Sequence, residues 1–187
     1  MRLAGRHRGF TLIEILVAIT IVAIVLSVTL LSMNLVGNDR EVQTEAERLL
    51  ALLAAAQDDS QFQGREFGVE FLRGGYRFVE YDPVTDQWAE IPDEEILRRW
   101  NLPEGLEVSL VLENKAVVLE AEPAVLEYAK GPGAAPNRYA PHLLIFSSGE
   151  MTPFRLEIRR LADQVRAVVE GDLLGRLEIV DDEDKRA

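Results

Sequence analysis

Hydrophobic and polar positions are sharply segregated along this chain. Phe10 to Val36 runs 27 residues with a single charge, Glu14, and its central part, Ile15 to Leu31, carries none. A helix of that length reaches about 40 Å, against roughly 30 Å for a bilayer hydrocarbon core. The hydroxyls inside the central part, Thr20, Ser27 and Thr29, are short enough for a helix to satisfy through its own carbonyls. The run therefore reads as a transmembrane helix.

After Gly37 the polarity changes and the helical period persists. Val42, Ala46, Leu49, Leu50, Leu53 and Ala56 fall on one stripe at three- and four-residue spacing, with Glu41, Glu45 and Arg48 largely off it. No proline occurs before Pro83. One helix from Phe10 to about Ser60 would span about 77 Å; the alternative is two helices broken at Gly37-Asn38.

From Arg65 the period becomes two. Phe67, Val69 and Phe71 alternate with Gly68 and Glu70, and Arg73-Gly74-Gly75 turns into Tyr76 to Tyr81, which predicts a hairpin. Asp82 to Asp86 turns into a third strand at Gln87 to Ile91, and Asp93-Glu94-Glu95 caps a brief helix bearing Ile96, Leu97 and Trp100. Further strands are expected at Leu106 to Leu112, Ala116 to Glu120, Leu143 to Phe146, Phe154 to Arg160, Val165 to Glu170 and Leu177 to Val180. The fold class is α+β, a long N-terminal helix packed on a mostly antiparallel β-sheet domain. Pro123 to Pro141 is a proline- and glycine-rich loop of a length that is usually functional or mobile. The charged tail after Val180 reads as disordered.

Charge orients this layout. Arg2, Arg6 and Arg8 precede the apolar run, while Asn38, Asp39, Arg40 and Glu41 follow it without net positive charge, so the N-terminus stays cytoplasmic. A cleaved signal peptide shares the basic start, yet this run exceeds an ordinary h-region, lacks a convincing cleavage site near Ser32 to Gly37 and holds an acid. Beyond Gly37 the chain has 31 of its 32 acids and 17 of its 20 bases, which opposes non-specific binding to nucleic acid. A DNA-binding variant would need a local patch such as Arg155, Arg159, Arg160 and Arg166.

Candidate chemistry is sparse. With no cysteine and only His7 and His142, histidine triads, thiolate sites and multi-histidine metal centres lack material. Asp82 and Asp86 lack the ligand density of a calcium loop, Ser147-Ser148-Gly149-Glu150 is not a nucleophile elbow, and Gly131-Pro132-Gly133 has no phosphate-loop lysine. Acid pairs such as Glu94-Glu95 carry no glycosidase signal in so acidic a chain. Trp88, Trp100, Tyr76 and Phe78 read as core. No cofactor, metal or catalytic residue is expected, and a membrane-anchored periplasmic enzyme is the disfavoured alternative.

Glu14 is the exception that chemistry singles out. A carboxylate among Phe10, Leu12, Ile13, Ile15 and Leu16 costs roughly 2.5 to 3.5 kcal/mol near a helix centre, somewhat less near its end. The sequence places no lysine or arginine between Phe10 and Asp39, so a counter-charge must come from another chain, from headgroups or from a new amino terminus. The string Gly9-Phe10-Thr11-Leu12-Ile13-Glu14, behind a basic leader and ahead of an apolar helix, resembles the class III signal of type IV pilins and type II secretion pseudopilins. That resemblance implies cleavage after Gly9 by a prepilin peptidase/N-methyltransferase, methylation of Phe10, and an assembly role for Glu14.

Downstream, the Gly75-Tyr76-Arg77-Phe78 hairpin, Trp88, Leu102-Pro103-Glu104-Gly105, Pro141 to Pro153 with Phe146 and Gly149, and Gly175-Arg176 resemble, in order, the minor pseudopilin H branch of type II secretion, general secretion pathway protein H. The implied organisation is a leader at 1–9, a transmembrane helix at 10–36, an amphipathic helix at 37–63, a periplasmic pilin-like β-rich domain at 64–180 and a charged tail at 181–187. The implied function is structural: a single-pass inner-membrane subunit whose partners are major and minor pseudopilins and whose filament moves exoproteins across the outer membrane. A minor pilin of a type IV pilus or DNA-uptake machine is the alternative.

Overall fold

The structure, a computed structural model, describes residues 12–91, 96–126, 139–163 and 165–180, without the side chains of 27–39. Gly9, Phe10, the leader, most of the 123–141 loop and the 181–187 tail therefore lie outside the described residues. The chain divides into two compact units, Met1–Asp39 and Arg40–Ala187.

Among the described residues one helix, α1 (Leu12–Gln63), is followed by ten strands. The described side chains of its first unit, Leu12 to Leu26, are all exposed, and Thr20 Oγ1 donates to the Leu16 carbonyl at 2.8 Å. Among the described residues no helical stretch is long and apolar enough to cross a membrane; those fifteen residues reach about 22 Å.

In the second unit α1 buries Val42, Ala46, Leu49, Leu53 and Ala56, each at 1% exposure or less, as the stripe predicts. Glu45 corrects that reading. It is only 5% exposed, because it lies three residues from Val42 and so on the same face. Gly64 ends the helix with its N–H on the Ser60 carbonyl at 2.9 Å.

Two antiparallel sheets cover this helix face. Sheet A runs β3 (Gln87–Glu90), β2 (Gly75–Asp82), β1 (Phe67–Leu72), β7 (Leu143–Ile145), with β4 (Trp100–Asn101) also on β2. Sheet B runs β10 (Leu177–Val180), β9 (Arg166–Gly171), β8 (Phe154–Arg160), β5 (Leu106–Leu112), β6 (Lys115–Val117). Phe67, Val69 and Phe71 of β1, Leu143 and Ile145 of β7, Val108 and Leu110 of β5, and Leu156 and Ile158 of β8 join the helix stripe in one apolar core.

The expected strands form within a residue or two, with two corrections. Trp100 is not in a helix: Ile96 to Arg98 form a bend, and Trp100–Asn101 pair with Gly75 and Tyr76. Gly75 permits this, since a Cβ there would overlap the Trp100 carbonyl oxygen. Asp93-Glu94-Glu95, the expected cap, lies outside the described residues. The strand expected at Ala116 to Glu120 shrinks to Lys115–Val117, where a turn through Glu113 and Asn114, both at positive φ, fixes a tight hairpin with β5.

A fragment comprising Arg40–Ala187 is expected to be soluble and folded, with a circular dichroism spectrum dominated by β-structure. In it, Leu53→Ala should lower the free energy of urea unfolding by about 2 to 5 kcal/mol. A helix-dominated or coil spectrum, or a negligible loss, would contradict this account.

Candidate functional site

Glu14 occupies the first turn of α1 and is exposed, as are Leu12, Ile13, Ile15 and Leu16 around it. An acid near a helix N-terminus is favoured by the partial positive charge of unsatisfied N–H groups. Its position presents a carboxylate from an otherwise apolar surface. Gly9 and Phe10 lie outside the described residues.

Within the domain, buried charge marks three junctions that sequence reasoning missed. At the first, Glu45 accepts a hydrogen bond from Trp100 Nε1 at 2.9 Å and pairs with Arg48, whose guanidinium carbon lies 4.2 Å from the centre of the Trp100 ring. The carboxylate thereby ties α1 to β4. Tyr76, fully buried beside it, has its phenol pushed well above the ordinary range by burial and by the Glu45 charge, so it remains a neutral hydroxyl.

At the second, Arg77 and Glu70 form a salt bridge with both side chains under 9% exposed. Glu70 also accepts the Ala124 N–H at 3.0 Å, while Arg77 donates to the Ala124 carbonyl and to Glu90. Tyr139 stacks beside the Arg77 guanidinium, 5.6 Å from ring centre to charge. One ion pair thus holds both described flanks of the 123–141 loop on the outer face of sheet A. This explains why all six residues of β1 are buried, against the alternation the sequence suggested.

At the third, Arg160 is 7% exposed and reaches Glu41 on α1 at 2.7 Å and Asp163 at 3.3 Å. The other arginines of the candidate DNA patch are also matched to carboxylates: Arg155 to Glu170, Arg159 to Glu107 at 3.5 Å and Arg166 to Glu157 at 3.9 Å. Their positive field is largely locally compensated.

Two further sequence candidates, Asp82 with Asp86 and Ser147 to Glu150, resolve as turns, while Glu94-Glu95 and Gly131-Pro132-Gly133 lie outside the described residues. Asp82 accepts from Thr85 Oγ1 and the Val84 N–H, which hold its carboxyl below the ordinary range. Asp86 accepts from the Tyr81 hydroxyl. Among the described residues no cluster of three or more acids or histidines could hold a metal. Ser147 and Ser148 lie in the turn closed by the Gly149 N–H on the Phe146 carbonyl, and Gln57 of α1 donates to the Gly149 carbonyl at 3.0 Å. Gly149 and Gly175 both meet Gln57, so two separated motif residues share one packing contact.

His142 is the remaining titrating group with a defined structural role. Its Nδ1 accepts the Phe71 N–H at 3.0 Å and its backbone N–H donates to the Val69 carbonyl at 2.9 Å, while burial lowers its pKa from 6.5. Well above pH 6.5 both folded and unfolded forms are neutral at this site. As pH falls through that value the unfolded chain takes up a proton the folded chain refuses, so stability declines. Urea midpoints of the Arg40–Ala187 fragment should therefore fall between about pH 7.5 and about pH 5.5, and His142→Gln should flatten that decline. An unchanged slope in the variant would remove His142 as its cause.

Comparisons with known proteins show the family. The Prokaryotic N-terminal methylation motif profile matches residues 5–30, and the Type II transport protein GspH profile matches residues 45–175. The chain is 32% identical over 175 residues to the type II secretion system protein H of Pseudomonas aeruginosa, covering 92% of this chain and 96% of that protein. It is 30% identical over 184 residues to the protein of the same description from Aeromonas hydrophila, covering 96% and 98%. In fold it is similar to the crystal structure of the minor pseudopilin EpsH from the type II secretion system of Vibrio cholerae, with a TM-score of 0.59 and 21% identity, covering 76% of this chain and 94% of that one. The solution structure of Escherichia coli GspH gives a TM-score of 0.54 at 17% identity, over 80% of this chain and 94% of that one. From the length of the profile match and the nearly complete cover of its relatives, this chain belongs to the GspH family of type II transport proteins.

Proposed function

We propose that this chain is a minor pseudopilin, a non-catalytic structural subunit of the type II secretion pseudopilus that helps move exoproteins across the outer membrane. The observation that carries this reading is the occurrence on one chain of an N-terminal methylation motif at 5–30 and a GspH match at 45–175. Residues 10–36 would cross the inner membrane with the N-terminus cytoplasmic and the sheet domain periplasmic, as the flanking arginines favour. The type IV pilus or DNA-uptake alternative is weakened by the carboxylate partners of Arg155, Arg159, Arg160 and Arg166.

Processing would cut Gly9–Phe10 and methylate Phe10, the work of a prepilin peptidase/N-methyltransferase. Glycine at the scissile position lets the backbone enter a narrow protease site. The reaction also frees an amine at Phe10, which stays cationic when methylated. A carboxylate carried into a bundle of apolar helices costs several kcal/mol unless a cation meets it. The Phe10 amine of this chain or of a neighbouring subunit supplies that cation to Glu14, and only the correct axial stagger brings the two together.

Intact-mass measurement on Gly9→Val in native membranes should show the leader retained, and normal processing of that variant would sink the cleavage assignment. Glu14→Ala should insert at least as well as wild type, because a desolvation cost is gone, yet lose crosslinking to the other pseudopilins and with it secretion. Wild-type crosslinking and secretion by Glu14→Ala would refute its part in register.

A further inference from the structure

Two large apolar side chains of the folded domain remain in solvent beside each other: Phe62 at 89% and Ile96 at 62% exposure. They line a groove of about 380 Å³ together with Ala55, Asp58, Asp59 and Leu97. Ala55, Asp58, Asp59 and Phe62 recur at three- and four-residue spacing on the last turns of α1, which gathers them on one face. Leu97, 3% exposed, anchors the opposite wall in the core. The helix positions on the core side, Ala56 and Ser60, are fully buried, so this face is a second one that the fold itself leaves open.

The charges beside the groove are unequal. Asp59 meets Arg65 at 3.5 Å, and Arg65 is shared with Glu80. Asp58 is exposed and meets no cation among the described residues. The geometry points to a docking site for a different subunit of the secretion assembly, one that inserts an apolar side chain carrying a lysine or arginine within a turn of it. The volume suits one or two such side chains. Covering Phe62 and Ile96 supplies the apolar gain, and Asp58 at the rim selects for the cation. A second copy of this chain, at a formal charge of −12, would bring like charge and is disfavoured as the occupant. The inference rests on the proposed place of the chain in a pseudopilus.

The test uses the full-length chain in membranes that hold the complete secretion assembly. A photoreactive phenylalanine analogue is placed at position 62 or 96, and at Val84 or Val118, which are 90% and 88% exposed but outside the groove. Positions 62 and 96 should trap the same other subunit while 84 and 118 do not. Asp58→Lys should cut that yield roughly tenfold and Asp58→Glu should keep it, with thermal midpoints unchanged in both. A product joining two copies of this chain, no product at 62 and 96, or equal yield with Asp58→Lys would overturn the docking site. Co-purification of the unsubstituted chain with the other pseudopilins separates the two levels: its failure overturns the proposed function as well, whereas its success with an empty groove overturns only the groove.

Discussion

The domain depends on one requirement, that the apolar stripe Val42, Ala46, Leu49, Leu53 and Ala56 be removed from water along its whole length. A stripe on one helix face offers a broad apolar surface but no edge that tells a strand where to stop. Both sheets answer it with alternate residues, Phe67, Val69 and Phe71 from one and Val108, Leu110, Leu156 and Ile158 from the other. Because each strand presents only every second side chain to the helix, the register of β1 and β8 against α1 is fixed once these positions face inward. A one-residue slip in β8 would turn Arg155, Glu157 and Arg159 into the core, which no partner on the helix could satisfy.

Apolar packing alone is non-directional, and the buried charges supply what it lacks. Glu45 with Trp100 and Arg160 with Glu41 join elements distant in sequence, while Glu70 with Arg77, paired across one hairpin, grips the distant Ala124 backbone, and each has hydrogen-bond geometry that tolerates little displacement. The fully buried pair, Glu70 with Arg77, returns little net stability, since desolvation offsets most of the attraction, but removing one partner of such a pair typically costs about 3 to 5 kcal/mol. These contacts therefore act on the choice among packings more than on its depth. Glu45 selects the placement of β4, Arg77 holds both flanks of the 123–141 loop, and Arg160 fastens the start of the domain's helix to the end of β8.

What was legible in the sequence follows from the same division. In β8 the burial alternates along all seven residues, so a period of two in the sequence is a period of two in the fold. In β1 the alternation of Phe67, Val69 and Phe71 correctly marks one face, yet Gly68 and Glu70 are buried too, because Pro141, Trp88 and the Ala124 backbone cover the other. Local pattern cannot announce a segment that returns more than fifty residues later. The same limit explains Trp100: acids followed by Ile96 and Leu97 carry a helix signal, and strand pairing across Gly75 outweighs it. It explains the two sheets as well, since each hairpin is encoded near its own turn while the choice of neighbouring hairpin is not.

The candidate sites differ in legibility for a related reason. Gly9 to Glu14 is a linear signal, six consecutive residues whose chemistry is visible without a fold, and its proposed role rests on sequence alone. The groove beside Asp58 is composite. Phe62 reads as the last apolar residue of an amphipathic helix and Ile96 as part of a separate short element, and a large hydrophobe in a sequence defaults to the core. Exposure reverses that default. When two such residues stay in solvent on adjacent walls, in a domain that leaves no other described aromatic exposed, the economical physical account is that the core they belong to is completed by another chain. The stripe on α1 and the groove near its end are then two solutions to one problem: the first half of the problem is closed within this chain, and the second is left for assembly to close.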